Sequence, residues 1–166
     1  MKLLVYLIII LTLNINSAEL TWDAYGYYRF DKIFDISKER KFYTLKNKSV
    51  VLTNAGINGK SECGGHMSLL NGVDSGTYFI CKMEDSNGDF NYAEFNTTRG
   101  ASDSGIHSFE IISGTGRWLE LVGQKCAGAY SQITGFDKKM EASYFWRGKC
   151  NIPDKTYERF INYKND

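Results

Sequence analysis

ISGTGRWLELVGQKCAGAY, Ile112 to Tyr130, places glycines at 114, 116, 123 and 128 around the bulky residues Trp118, Leu119, Leu121 and Val122. Such a run either cradles a phosphate or turns a strand sharply in an all-β protein. A P-loop requires GxxxxGK[ST], and a dinucleotide fingerprint requires GxGxxG between a strand and a helix. Gly114 and Gly116 supply the first two glycines, but Leu119 occupies the third position. Trp118 to Val122 is bulky and β-like rather than a helix start. The stretch therefore reads as a strand, a glycine corner and a returning strand.

The rest of the chain agrees. It is rich in tyrosine and phenylalanine, punctuated by glycine, and has a single proline, Pro153. Aromatic residues favour strands and glycines favour turns. Strands are expected over Leu20–Phe34, Phe42–Leu45, Ser49–Asn54, Glu62–Leu70, Thr77–Glu84, Phe90–Asn96, Ile106–Ile112, Ala129–Thr134 and Met140–Arg147. The turns between them include Lys46–Lys48, the NGVDSG at 71–76, the DSNGD at 85–89 and the GFDKK at 135–139. Thr97–Gly105 reads as a polar loop. Asn-Gly between apolar strands is a strong hairpin signal. After Pro153, Asp154 can N-cap a short helix with Tyr157, Phe160 and Ile161 on one stripe. Short strands spaced by ~8–12 residues indicate an antiparallel sandwich or barrel.

The first eighteen residues, MKLLVYLIIILTLNINSA, have one basic residue, an apolar run from Leu3 to Leu13, and a small-residue end at Ala18. That order is a secretory leader; the apolar run falls short of the ~20 residues of a membrane span, an uncleaved anchor being the alternative. Residues 19–166 then form one domain, with no further long apolar run, and the chain is expected to be secreted or periplasmic. Removing Lys2 leaves 19 basic and 19 acidic residues. A neutral chain has no electrostatic footprint for nucleic acid.

All four cysteines, Cys63, Cys81, Cys126 and Cys150, lie beyond the leader. An even count in an exported chain points to two disulfides; zinc is the alternative, but there is no CxxC. Cys63 and Cys81 are symmetric about Gly72, and Cys126 and Cys150 about Lys138, so each pair can meet across its own hairpin.

Candidate chemistry is sparse. Asp85, Asn87 and Asp89 alternate as in a calcium loop, but Gly88 comes too early for an EF-hand and the flanks are strands. Solvated turn acids are the plainer reading. Glu94 shares a strand face with Phe90 and Tyr92, and Glu110 with Ile106 and Ile112. A carboxylate on an apolar face is either at a sheet end or buried with a partner, for which Arg117 and Arg147 are available. No GxSxG occurs, and neither His66 nor His107 has a catalytic neighbour. No cofactor is implied.

Gly114-Thr115-Gly116-Arg117-Trp118, followed by Gly123 and Tyr130, resembles the GGTGK-aromatic-x-x-x-x-G-x-x-x-Y signature of allene-oxide-cyclase-like and dirigent-like barrels and of small secreted bacterial proteins. Cys81 to Phe90 resembles the C-x-x-x-D-x-D-G-D segment that accompanies it. The resemblance spans Cys63 to Tyr130; Ser113, Asn87 and Leu121-Val122 depart from the pattern. It implies a closed antiparallel barrel of about eight strands, without exposed edges. It transfers no catalytic residue.

The expectation is an all-β, disulfide-stapled barrel with a short C-terminal helix or tail. It binds a small apolar ligand or a protein partner, with Trp118, Tyr130 and Trp146 as candidate contacts. Two alternatives differ in kind. A cyclase or isomerase would use Glu94 or Glu110 inside the lumen, with Arg117. An envelope interaction protein would have no pocket and would display loops such as Thr97–Gly105.

Overall fold

The computed structural model describes residues 17–97 and 104–164. The expected leader lies almost wholly outside them, as do positions 98–103 of the polar loop. Among the described residues eight antiparallel strands close into a barrel, each bonded to its sequence neighbours and β1 to β8. The strands are β1 (Ser17–Asp35), β2 (Arg40–Thr53), β3 (Gly59–Leu70), β4 (Val73–Asp85), β5 (Phe90–Thr97), β6 (Ser104–Gly114), β7 (Lys125–Gln132) and β8 (Glu141–Pro153). One helix, α1 (Asp154–Ile161), follows β8 directly. No helix among these residues is long and apolar enough to cross a membrane.

Side chains alternate between lumen and exterior, as strand geometry requires. On β1, Leu20, Trp22, Ala24 and Tyr28 are buried while Tyr25 and Tyr27 are exposed. The outer wall carries ion pairs: Arg147 with Asp23 at 2.6 Å, Lys48 with Glu62 at 2.6 Å and Lys149 with Glu19 at 3.0 Å. Arg147 donates two hydrogen bonds to Asp23, which holds that carboxyl below its ordinary range. An apolar inside and a charged outside is the reverse of a transmembrane barrel, whose apolar band faces lipid.

The strands run longer than the sequence suggested. Lys46–Lys48, expected as a turn, is the middle of β2. Lys46 reaches out to Asp31 and Lys48 to Glu62, while Asn47 points inward and accepts the Tyr144 hydroxyl at 2.7 Å. A polar run thus satisfies both faces of a strand without breaking it.

Both disulfides join neighbours in the hairpin pairs expected from the sequence, Cys63 to Cys81 and Cys126 to Cys150. The β3–β4 register is set at the turn, where Asn71 and Gly72 both have positive φ, 54° and 77°, as a two-residue hairpin loop demands. One register shift just after Ser68 then brings Cys63 directly opposite Cys81.

Ile112–Tyr130 differs from expectation in its centre. β6 ends at Gly114, and Gly116–Leu121 forms a 3₁₀ turn rather than the start of a strand. Gly123, with φ at 85°, then leads the chain into β7. The turn drops Trp118 and Leu121, both 0% exposed, into the end of the barrel. α1 lies against the same turn, and its Phe160 ring packs on Trp118 at 5.1 Å. The turn and the helix together shut this end.

Candidate functional site

The opposite end is open, and a cavity of about 440 Å³ runs inward from it. Its walls are mostly apolar. Its middle layer is a file of three phenylalanines across β4, β5 and β6. Phe79 stacks on Phe95 at 4.8 Å and Phe95 on Phe109 at 4.9 Å. Directly opposed positions on three strands put these rings side by side, so stacking follows from register.

Trp146 of β8 completes this layer, with its ring 5.6 Å from Phe95 and 5.3 Å from Phe109. The indole lies flat against the wall because Gly128 and Gly148 are opposite each other beneath it. A Cβ at either glycine would collide with the ring. These glycines form a bed for the tryptophan rather than a turn.

The mouth is more polar. Tyr28 donates to Gln132 Oε1 at 2.7 Å, and Tyr130 reaches the same oxygen at 3.4 Å. Burial pushes the Tyr144 hydroxyl above its ordinary value, against the hydrogen bonds it makes with Ser49 and Asn47. Phe136, on the β7–β8 loop, reaches over the opening and contacts the rings of Tyr28 at 5.4 Å and Phe30 at 5.1 Å. Asp74 is the one acidic side chain that lines the cavity among the described residues, and no lysine or arginine does. Its carboxylate accepts from the Gly76 N–H and the Thr77 hydroxyl, both at 2.8 Å.

His107 also faces the lumen, at 9% exposure, beside Phe79 and Tyr130. Burial pushes its pKa down, with the charge of Asp74 opposing. In the sequence no catalytic neighbour marks it. Its position two residues before Phe109 was the available signal, since period two puts both on one face.

The named candidates divide by face. Tyr130 and Trp146 line the cavity. Trp118 does not, because it is sealed in the closed end. Glu94 and Glu110 are opposite each other on β5 and β6, on the outer face, since Phe95 and Phe109 take the inner one. The apolar companions that suggested burial, Ile106 and Ile112, are themselves 76% and 40% exposed. Arg117 lies at the closed end, its Nε 3.8 Å from Asp85, whereas Glu110 faces Lys125. These three residues therefore form no lumen site.

Asp85, Asn87 and Asp89 make the β4–β5 turn rather than an open ring of ligands. Asp85 Oδ1 accepts the N–H groups of Asn87 and Asp89, and Oδ2 accepts the Trp118 indole N–H at 3.1 Å. Asp89 receives the Thr115 hydroxyl at 3.2 Å. The same hydroxyl oxygen accepts the Phe90 N–H at 3.0 Å. Gly116, with φ at 51°, passes so close to Asp89 that a Cβ there would strike the carboxylate. The acidic turn and the glycine motif thus interlock as one structural device. Among the described residues no three acidic, histidine or cysteine side chains are grouped to hold a metal ion.

Compared with known families and curated proteins, the chain matches no family model and no curated sequence.

Proposed function

We propose that this protein binds a small, largely apolar molecule within the barrel and holds it without transforming it. The observation that carries this reading is the cavity of about 440 Å³, open at one end and walled by stacked aromatic rings. Volumes of about 300–1,000 Å³ with apolar walls and a few polar groups are typical of small-molecule sites. A cavity of this size also removes the premise of an interaction protein without a pocket. The enzyme reading lacks its lumen glutamate, and Asp74 already serves the turn beside it.

The setting we propose is secreted or periplasmic, with residues 1–18 as a leader. Two disulfides are at home in an oxidising compartment. The barrel closure and the hairpin staples fit the barrel family suggested by the glycine signature.

Titration with naphthalene, followed by tryptophan fluorescence and by NMR shifts of lumen methyl groups, tests the reading. Saturable binding is expected, with shifts at Leu45, Val51 and Ile111. Ala93→Phe, which fills the deep lumen, should abolish it. Absence of saturable binding, or binding untouched by A93F, would count against the lumen as a binding site.

A further inference from the structure

Two buried nitrogens on the lumen wall have no hydrogen-bond partner: Nδ1 of His107 and Nε1 of Trp146. Both residues line the cavity. They are also neighbours. His107 is directly opposite Gly128 across β6 and β7, and the indole nitrogen lies over Gly128, in the space a side chain there would occupy. Several other lumen groups are engaged: Tyr144 with Asn47, Tyr28 with Gln132, and Asp74 with Gly76 and Thr77. Buried polar groups are nearly always hydrogen-bonded, and an unpaired one is costly. Two unpaired nitrogens flanking one glycine position of an apolar cavity mark where a ligand atom completes the structure.

We propose that this pair recognises a single uncharged oxygen, hydroxyl or carbonyl, on an otherwise apolar ligand. The inference rests on the lumen being the binding site and adds the class of ligand. The indole N–H only donates, so the ligand atom must accept. A neutral imidazole donates or accepts according to its tautomer, so a hydroxyl or a carbonyl oxygen satisfies both nitrogens. A carboxylate or phosphate fits poorly. No lysine or arginine lines the cavity among the described residues, and Asp74 adds a negative charge. An anion buried without a counter-charge carries a large desolvation cost. The aromatic file beside the pair, Phe79, Phe95 and Phe109, suits a flat or ring-bearing apolar body.

Naphthalene, 1-naphthol and 1-naphthoate share one apolar body and differ in one substituent. Calorimetric titration at neutral pH should rank naphthol first, about tenfold tighter than naphthalene for one added buried hydrogen-bonded group, with naphthoate weakest. Trp146→Phe removes the N–H and keeps a ring; His107→Phe removes the imidazole. Each should erase the naphthol preference while naphthalene still binds. Should either variant fail to fold, the ranking of the three compounds by the native protein decides alone. Equal binding of naphthol and naphthalene, or tighter binding of naphthoate, overturns the recognition of a neutral oxygen and leaves lumen binding standing. Binding of none of the three overturns both.

Discussion

The Trp118 indole N–H donates to Asp85 Oδ2 across 33 residues of chain, at 3.1 Å and out of reach of solvent. Asp85 is 6% exposed and also accepts two backbone N–H groups, with Arg117 beside it. Asp85→Ala leaves all of these donors without an acceptor. A loss of about 3–5 kcal/mol is expected, the range for breaking a buried, charged hydrogen-bonded group. Trp118→Phe removes one donor and keeps most of the ring, so its loss should be clearly smaller. Urea unfolding under non-reducing conditions compares the two.

Gly128→Ala should destabilise by about 1–3 kcal/mol, the usual cost of forcing a methyl group into a packed site. The displaced Trp146 ring has only the lumen to move into, so its fluorescence should shift and naphthalene capacity should fall. Gly64→Ala is the control, since a Cβ at Gly64 meets nothing within 4 Å.

Replacing Cys63 and Cys81 together by alanine should lower stability by about 3 kcal/mol, the chain-entropy value for a loop of this size. The pair closes a separation of 18 residues and the Cys126–Cys150 pair 24, so the two losses should be similar. Thermal unfolding of the two double variants makes the comparison.

Stability should fall as the solution is acidified through the ordinary histidine value of 6.5. Burial holds the folded imidazole of His107 below that value, opposed by the charge of Asp74. In the window between the folded and unfolded values the unfolded chain binds more protons, so unfolding is favoured as pH drops. Above 6.5 both states are neutral and the contribution is fully present. His107→Phe should flatten the slope of denaturation midpoint against pH between neutrality and mild acid. An unchanged slope would show that the imidazole is solvated.

Phe136→Ala should speed the release of bound 1-naphthol several-fold with a stability change under about 1 kcal/mol, since the side chain is 41% exposed and sits across the opening. Stopped-flow displacement reads the rate.

The hairpins were legible because their turns are chemically explicit. Asn71-Gly72 sets the β3–β4 hairpin, and the one-residue shift after Ser68 completes the register that pairs the cysteines. Which side of β5 and β6 faces inward was not legible, because both sides carry apolar residues. Tyr92, Ile106 and Ile112 outside compete with Phe95, Phe109 and Ile111 inside, and period two cannot say which set wins. The 3₁₀ turn at Gly116–Leu121 was hidden for a related reason. Its bulky residues resemble a strand locally, and only the barrel end that the turn itself plugs, a tertiary feature, gives Trp118 and Leu121 a place to bury. The His107–Trp146 neighbourhood spans 39 positions of sequence and exists only because Gly128 lets an indole cross from β8 towards β6.

With Trp118, Leu121 and Phe160 fully buried at one end, the barrel has a floor and a single doorway. Under the proposed function, a molecule in such a well would not pass through to the other end. It would enter and leave by the same route, under Phe136 and past the tyrosines. The orientation such a molecule had on entry would therefore be reversed relative to its path on release. The end that goes in first, the one that reaches Met83 and Ile111 beside the floor, would be the last to see water again.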